Sequence, residues 1–258
     1  MATAQLLKLL RSLAQGRHNQ RKSPFFVVEG LRCCREAIRL RPEWLRFSVI
    51  AEETADSPAA KEFLALSLAA GVSPQYLGGR EFEAVSCTDS PQGVLCVMEK
   101  PAPEAPAALP RPCTMILDQV REPGNFGTIL RTAWATGIKS VWATAGSADP
   151  WSPKVIRSGM GAQFAVQVHT FPSLEDAIST HRQLGGGDVW CAMMSSDVTL
   201  FSPEFTPAGG AIVMGNEANG VSRPELGRAV TIPMPGDAES LNVAQAATLL
   251  LYEALRRS

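Results

Sequence analysis

The sequence predicts an α/β protein of two domains, the second built on a mostly parallel sheet. Apolar segments of strand and helix length alternate along its 258 residues. Several strands, such as Ala-Ile-Val-Met at 211–214, are continuously apolar, which suits a sheet covered on both faces. Residues 101–112 hold five prolines. Proline fixes φ and lacks an amide donor, so this stretch reads as an extended, semi-stiff connector between domains at 1–100 and 113–258.

Each element follows from a local pattern. Leu6, Leu7, Leu10 and Leu13 recur at helical spacing, which predicts a helix over 3–15 that stops near Gly16. A polar stretch leads to a strand at 25–28, a helix over 31–40 ended by Pro42, and a strand at 47–50. A helix over 58–70 closed by Gly71 and a strand at 94–98 complete the first domain. The second begins with a strand at 114–117, a helix over 127–136 ended by Gly137, and a strand at 140–143. A helix over 152–158, a strand at 164–168 and a helix over 173–184 follow, with Gly185-Gly-Gly187 as the helix stop. Strands at 189–193, 211–214 and 230–232 lead to a last helix over 242–256, where Leu249, Leu250, Tyr252 and Leu255 are expected to face inward.

A hydrophobic content of 45% excludes wholesale disorder, and no apolar run reaches the roughly 18 residues of a membrane span. The net charge of −1 points away from a nucleic-acid partner until it is divided. Residues 1–46 carry ten Lys or Arg against Glu29, Glu36 and Glu43, a net of +7, and read as a basic arm on a body that carries −8. Six cysteines lack C-x-x-C spacing, so the sequence indicates neither a metal site nor a disulfide framework. Without a secretory apolar region the chain reads as cytoplasmic with reduced thiols. The absence of acidic residues before Glu29 also fits a mitochondrial or chloroplast transit segment.

Three segments look too specialised for ordinary connections. Leu117-Asp-Gln-Val-Arg-Glu-Pro-Gly-Asn-Phe-Gly-Thr-Ile-Leu-Arg131 runs from a strand end into a helix, the position where α/β sheets bind ligands. Asn125 could cap that helix, with Arg131 further in. Met214-Gly-Asn-Glu-Ala-Asn-Gly220 places one carboxylate, Glu217, in a tight polar loop that is neither a phosphate loop nor a dinucleotide loop. Ile232-Pro-Met-Pro-Gly-Asp-Ala-Glu-Ser-Leu-Asn242 leads into the last helix, with Ser240 a natural cap and Asn242 in the first turn. Taken singly, each also reads as a capped helix or a plain turn. Met193 and Met194, at a strand end, read as ordinary packing ahead of lining a ligand pocket, and Trp134, Trp142, Trp151 and Trp190 read as core or interface residues.

In this order and spacing the three segments resemble the motifs of the SpoU (TrmH-like) branch of the SPOUT superfamily, S-adenosylmethionine-dependent RNA ribose 2′-O-methyltransferases. The resemblance spans residues 114–256. Residues 6–98 resemble the substrate-binding domain often placed before it, through Arg21-Lys-Ser-Pro-Phe-Phe-Val-Val-Glu-Gly30. The resemblance implies a small L30e-like first domain, a catalytic domain with a C-terminal trefoil knot, and a homodimer that needs no metal. It maps Asn125, Arg131, Glu217, Ser240 and Asn242 onto the catalytic positions, and Gly215, Ile232, Met234, Leu241 and Asn242 onto the cradle of the methyl donor. Glu122, Ala218 and Ala244 stand where the family often has Asp, Gly and Ser. Large-subunit ribosomal RNA is the expected substrate; transfer RNA, or a non-catalytic role in ribosome assembly, are the alternatives.

No histidine lies in the three motifs, and a guanidinium stays protonated in proteins. Arg131 is therefore expected to grip a phosphate and orient the 2′-hydroxyl rather than accept its proton. Arg17, Arg21 and Lys22 are expected to meet RNA, with Phe25 and Phe26 as either stacking platforms or core. Neutralising the three basic residues together should flatten the salt dependence of RNA binding, measured by filter binding across a salt series.

Overall fold

Alternation of strands and helices runs the length of the computed structural model, which describes residues 3–15 and 21–258. The first stretch forms α1 (Thr3–Gln15), β1 (Phe25–Glu29), α2 (Leu31–Leu40), β2 (Leu45–Ala51), α3 (Pro58–Ala69), β3 (Gln75–Leu77), α4 (Gly79–Glu83) and β4 (Val94–Glu99). Next come β5 (Thr114–Leu117), α5 (Pro123–Ala135), β6 (Ser140–Thr144), α6 (Pro153–Gly159) and β7 (Gln167–Phe171). The chain ends with α7 (Leu174–Gln183), β8 (Val189–Ala192), β9 (Ala211–Met214), β10 (Arg228–Val230) and α8 (Val243–Arg256). Two compact units result, Met1–Ala102 with Trp151–Phe164, and Pro103–Pro150 with Ala165–Ser258. Residues 101–113 contain no helix or strand. Among the described residues no helix is long and apolar enough to cross a membrane.

The first unit is a four-stranded sheet in the order β1-β4-β2-β3, with only the β2–β3 pair parallel. Side chains alternate across a strand, so neighbouring residues feed opposite cores. Phe26, Val28, Cys96 and Met98 meet Cys34, Ala37 and Ile38 of α2, Phe63 of α3, and Ile156 and Phe164. Val27, Leu95 and Val97 meet Leu6, Leu10 and Leu13 of α1, together with Phe82. The Phe26 ring centroid lies 4.8 Å from that of Trp151 at a tilt of 39°, and Phe25 packs against the second core, so both phenylalanines serve packing rather than a base platform. The buried Glu29 carboxylate accepts from Ser86 Oγ (2.6 Å), the Cys87 amide (2.6 Å) and Thr88 Oγ1 (2.7 Å), holding that loop against β1.

The described residues of the +7 segment are not a free arm. They fold as α1, β1, α2 and the start of β2, and acids answer several of their charges. Arg35 pairs with Glu62 and Arg39 with Glu36, each at 2.6 Å, and Arg46 pairs with Glu99. Lys8, Arg11, Arg21, Lys22 and Arg32 remain exposed, while Arg17 lies outside the described residues.

The second unit carries a six-stranded, wholly parallel sheet in the order β10-β8-β9-β5-β6-β7. From β5 the chain steps toward β6 and β7; from β9 it steps past β8 to β10. The carboxyl ends of β5 and β9 therefore flank the point where the strand order reverses, the usual ligand crevice of such sheets. At its far end α8 is fastened by the buried Glu253, which accepts from Arg256 and Arg257. Hydrogen bonds from Arg256 and then Arg257 hold the Glu253 pKa at about 2. Arg257 also donates to the carbonyls of Leu200 (3.1 Å) and Phe205 (2.9 Å), which ties the loop after β8 to α8.

Some elements differ from the pattern reading. The strand expected at 164–168 begins at Gln167, because Phe164 ends a short 3-10 turn and packs into the first unit's core. The strand expected at 230–232 is Arg228–Val230, just ahead of Pro233, which cannot donate to a ladder. On α8 the inward face is Ala244, Ala247, Leu250, Leu251 and Ala254, whose small side chains allow close approach. Leu249, Tyr252 and Leu255 are 44%, 51% and 41% exposed, the reverse of the expectation for those three. The short β3 and α4 carry no periodic signal and were not anticipated.

His181 is enclosed in the second unit, with Nδ1 3.1 Å from Thr114 Oγ1 and Nε2 3.3 Å from the Gly187 carbonyl. A Cβ on Gly186 would lie 2.1 Å from Nε2, so only glycine fits there. The carbonyl can only accept, so Nε2 donates and Nδ1 accepts the threonine hydroxyl. Burial pushes the His181 pKa down. Its contribution to stability is then complete above the unfolded value near about 6.5 and declines as pH falls from there through the folded value. Thermal midpoints should drop over that window, and His181→Gln should shallow the slope.

Candidate active site

One carboxylate joins the two loops at the switch point. Glu217, in the loop after β9, accepts through Oε1 from the Glu122 amide and from Asn125 Nδ2, both at 3.1 Å, and through Oε2 from the Arg121 amide at 3.2 Å. Burial alone would raise its pKa, but the hydrogen bonds from Asn125, its own amide, Glu122 and Arg121 outweigh that and hold it below the usual carboxylate range. A carboxylate so occupied is a poor proton acceptor and a good tether. Asn125 Oδ1 in turn accepts from Asn242 Nδ2 at 2.8 Å, and Asn242 Oδ1 caps α8 through the amides of Ala244 (2.9 Å) and Gln245 (3.4 Å). An unbroken polar chain thus links the loop after β5, the loop after β9 and the start of α8.

Loop geometry makes this possible. The amide and carbonyl of Asn216 bond the carbonyl and amide of Gly220 at 2.8 and 2.9 Å, closing the loop on itself. A Cβ on Gly215 would sit 2.1 Å from the Gly220 carbonyl carbon, so the closure requires glycine. Below the loop, buried Asp118 accepts from Thr144 Oγ1 (3.0 Å) and the Ser222 amide (2.7 Å), joining the ends of β5 and β6 to the chain after the loop.

Beside the chain of amides lies a cavity of about 540 Å³, the size of a small-molecule site. Its walls are residues 192–195, 214–220, 230–232 and 240–243, with Met234, and with Ala246 and Leu250 of α8. Gly215, Ile232, Met234, Leu241 and Asn242, expected at the donor cradle, all line it. So do Glu217 and Ser240, and no partner holds the Ser240 hydroxyl among the described residues. Asn125 is joined to the cavity through Glu217 and Asn242. Arg131 is not brought to it. Six residues beyond Asn125, it is turned about 120° around α5, exposed and without an ion pair among the described residues.

Two capping assignments change. The cap of α5 is Glu122, which accepts from the Gly124 amide, with Pro123 in the first turn where its missing donor costs nothing. That places Asn125 inside the helix, its side chain available to Glu217. The cap of α8 is Asn242 rather than Ser240. Met193 and Met194 line the cavity, the reading that the sequence ranks below ordinary packing. Asp118, Gln119 and Thr144 carry no signal of their roles in the sequence, because their contacts join strand ends distant in sequence. Among the described residues no group of three or more His, Cys, Asp or Glu is placed to hold a metal, and all six cysteines are unpaired.

Residues 112–252 match the model of the SpoU rRNA methylase family, and residues 27–104 match that for RNA 2′-O ribose methyltransferase substrate binding. An uncharacterised tRNA/rRNA methyltransferase of Synechocystis sp. is 33% identical over 74% of this chain and 70% of its own. The 23S rRNA (guanosine(2553)-2′-O)-methyltransferase of Bacillus subtilis is 29% identical over 90% of this chain and 88% of its own. The SpoU methyltransferase AviRb of Streptomyces viridochromogenes, solved with the cofactor AdoMet, superposes with a TM-score of 0.82 at 26% identity over 98% of each chain.

Asn242→Ala removes the α8 cap and leaves Asn125 Oδ1 without its donor. The expected loss is about 1–3 kcal/mol in urea unfolding; an unchanged midpoint would show that the tether does not support the fold.

Proposed function

The chain belongs to the SpoU rRNA methylase family and is an S-adenosylmethionine-dependent RNA ribose 2′-O-methyltransferase; we propose that it acts on large-subunit ribosomal RNA and holds its methyl donor in the cavity beside Glu217. The observation that carries this reading is the convergence of all five cradle residues with Glu217 and Ser240 on one cavity. The cavity fits the donor chemically. Met214, Ile232, Leu241 and Leu250 on its walls suit the apolar faces of an adenine, and Asn216, Glu217 and Ser240 add polar groups.

When bound, S-adenosylmethionine supplies a methyl group on a positively charged sulfur. The protein's task is then alignment of a weak nucleophile with that methyl, a source of large rate gains in itself. Glu217 holds the loop walls in register and stays ionised. The Ser240 hydroxyl, on the cavity wall and without a partner among the described residues, is placed to orient a bound hydroxyl. Arg131, exposed and without an ion pair among the described residues, grips a phosphate beside the target ribose. Exposed bases of the first unit, Arg21 and Lys22 among them, add phosphate contacts.

A second copy of the chain covers the apolar stripe of Leu249, Tyr252 and Leu255, since stripes of this kind mark association surfaces. The homodimer and a C-terminal trefoil knot complete the proposed assembly. Six unpaired thiols favour the cytoplasm.

Mapping 2′-O-methyl groups lost from ribosomal RNA in a deletion strain tests the substrate; an unaltered map would overturn it. Arg131→Lys keeps the charge but loses the planar fork, and turnover should fall at least about tenfold with donor affinity unchanged. Near-wild-type turnover would remove Arg131 from the orienting role.

A further inference from the structure

The polar tether at the switch point uses up its own atoms. Glu217 is occupied by Arg121, Glu122 and Asn125; Asn125 gives its nitrogen to Glu217 and its oxygen to Asn242; and Asn242 caps α8. None of these three side chains carries a positive charge for the phosphates that flank a ribose. Arg121 does. Its amide donates to Glu217 Oε2 at 3.2 Å, so its backbone belongs to the tether, yet its side chain is exposed. The guanidinium makes one hydrogen bond, Nη2 to Gln119 Oε1 at 3.1 Å, and pairs with no carboxylate among the described residues.

Gln119 holds that guanidinium from a constrained backbone. Its φ is 56°, in the left-handed region that non-glycine residues seldom occupy. The conformation is over-determined on both sides: the amide donates to Thr144 Oγ1 at 3.0 Å, and the carbonyl accepts from Asn216 Nδ2 at 2.9 Å. Asp118 anchors the same threonine hydroxyl at 3.0 Å. Strain maintained by surrounding contacts is characteristic of functional positions. Its consequence here is a neutral acceptor that steadies the guanidinium without cancelling its charge.

We propose that Arg121 is a substrate-contact residue, its guanidinium steadied by Gln119 beside the Glu217 tether to take a backbone phosphate near the ribose that is methylated. Guanidinium and phosphate suit each other because two parallel N–H groups match two oxygens. The assignment rests on the methyltransferase reading above and adds a second arginine to Arg131.

Arg121→Gln removes the charge and Arg121→Lys keeps it without the fork; both change an exposed side chain, and melting curves matched to wild type verify the fold. With an unmodified 23S rRNA transcript as probe, Arg121→Gln should raise KM for RNA about tenfold. It should also lower the salt slope of transcript binding by about one phosphate contact. The Kd for S-adenosylmethionine, read by calorimetry, should stay within about twofold of wild type. Arg121→Lys should regain the salt slope while KM remains raised. An unchanged KM and slope in Arg121→Gln overturns the proposal, and so does a parallel loss of S-adenosylmethionine binding, which would place Arg121 in the donor site. Binding is read without turnover. A wild-type protein that methylates no RNA therefore overturns the earlier reading alone, and the salt slope still decides Arg121.

Discussion

The Glu217 carboxylate is the interaction on which the site depends. Its hydrogen bonds to Arg121, Glu122 and Asn125 join loops whose residues lie more than ninety positions apart in sequence, at the carboxyl ends of two adjacent parallel strands. Strand ends at a switch point diverge, so their loops have no ladder to hold them in register. One ionised acceptor with several aligned donors supplies that register, and charge-assisted hydrogen bonds are among the stronger ones available. The pKa depression of Glu217 is the electrostatic trace of this arrangement.

From there the constraint spreads outward. Asn125 transmits it to Asn242, and Asn242 transmits it to the amides at the start of α8. Farther along, Thr132 of α5 and Thr248 of α8 share a hydroxyl hydrogen bond of 3.1 Å, so the two helices are tied at more than one level. At the opposite end of α8, Glu253 and Arg257 fasten the loop after β8. The cavity therefore has walls from four separate chain segments, and hydrogen bonds through Asn125 join two of them, at Glu217 and at Asn242. Such support is what keeps a binding geometry from loosening.

Much of this was legible from the amino acids. Apolar runs located the parallel strands, and helical spacing located α1, α2, α3 and α7 within a residue or so of their ends. Three motifs, read by resemblance, named five cradle residues that do line the cavity, with Glu217 and Ser240 beside them. The failures have physical causes. Capping roles were exchanged between Asn125 and Glu122 and between Ser240 and Asn242, because several polar residues within a turn can each cap and tertiary partners choose among them. Leu249, Tyr252 and Leu255 look like core by composition, yet the alanines of α8 face inward. The basic segment reads as an arm in a charge count, yet it folds into the first unit, with Arg35, Arg39 and Arg46 paired to acids.

Local order in the chain determined the alternating α/β architecture, the Pro-rich divide and the identity of the polar residues at the strand ends, since periodicity, proline and glycine act over a few residues. Which of those polar residues would touch was decided only in three dimensions. Glu217 and Asn125 are 92 positions apart, and Asn125 and Asn242 are 117 apart. Their meeting depends on β9 lying beside β5, a pairing that no local pattern specifies. The left-handed Gln119, and the exposed arginine it steadies, exist because Thr144 and Asn216 converge on the two peptides that flank one residue, from two other strand ends.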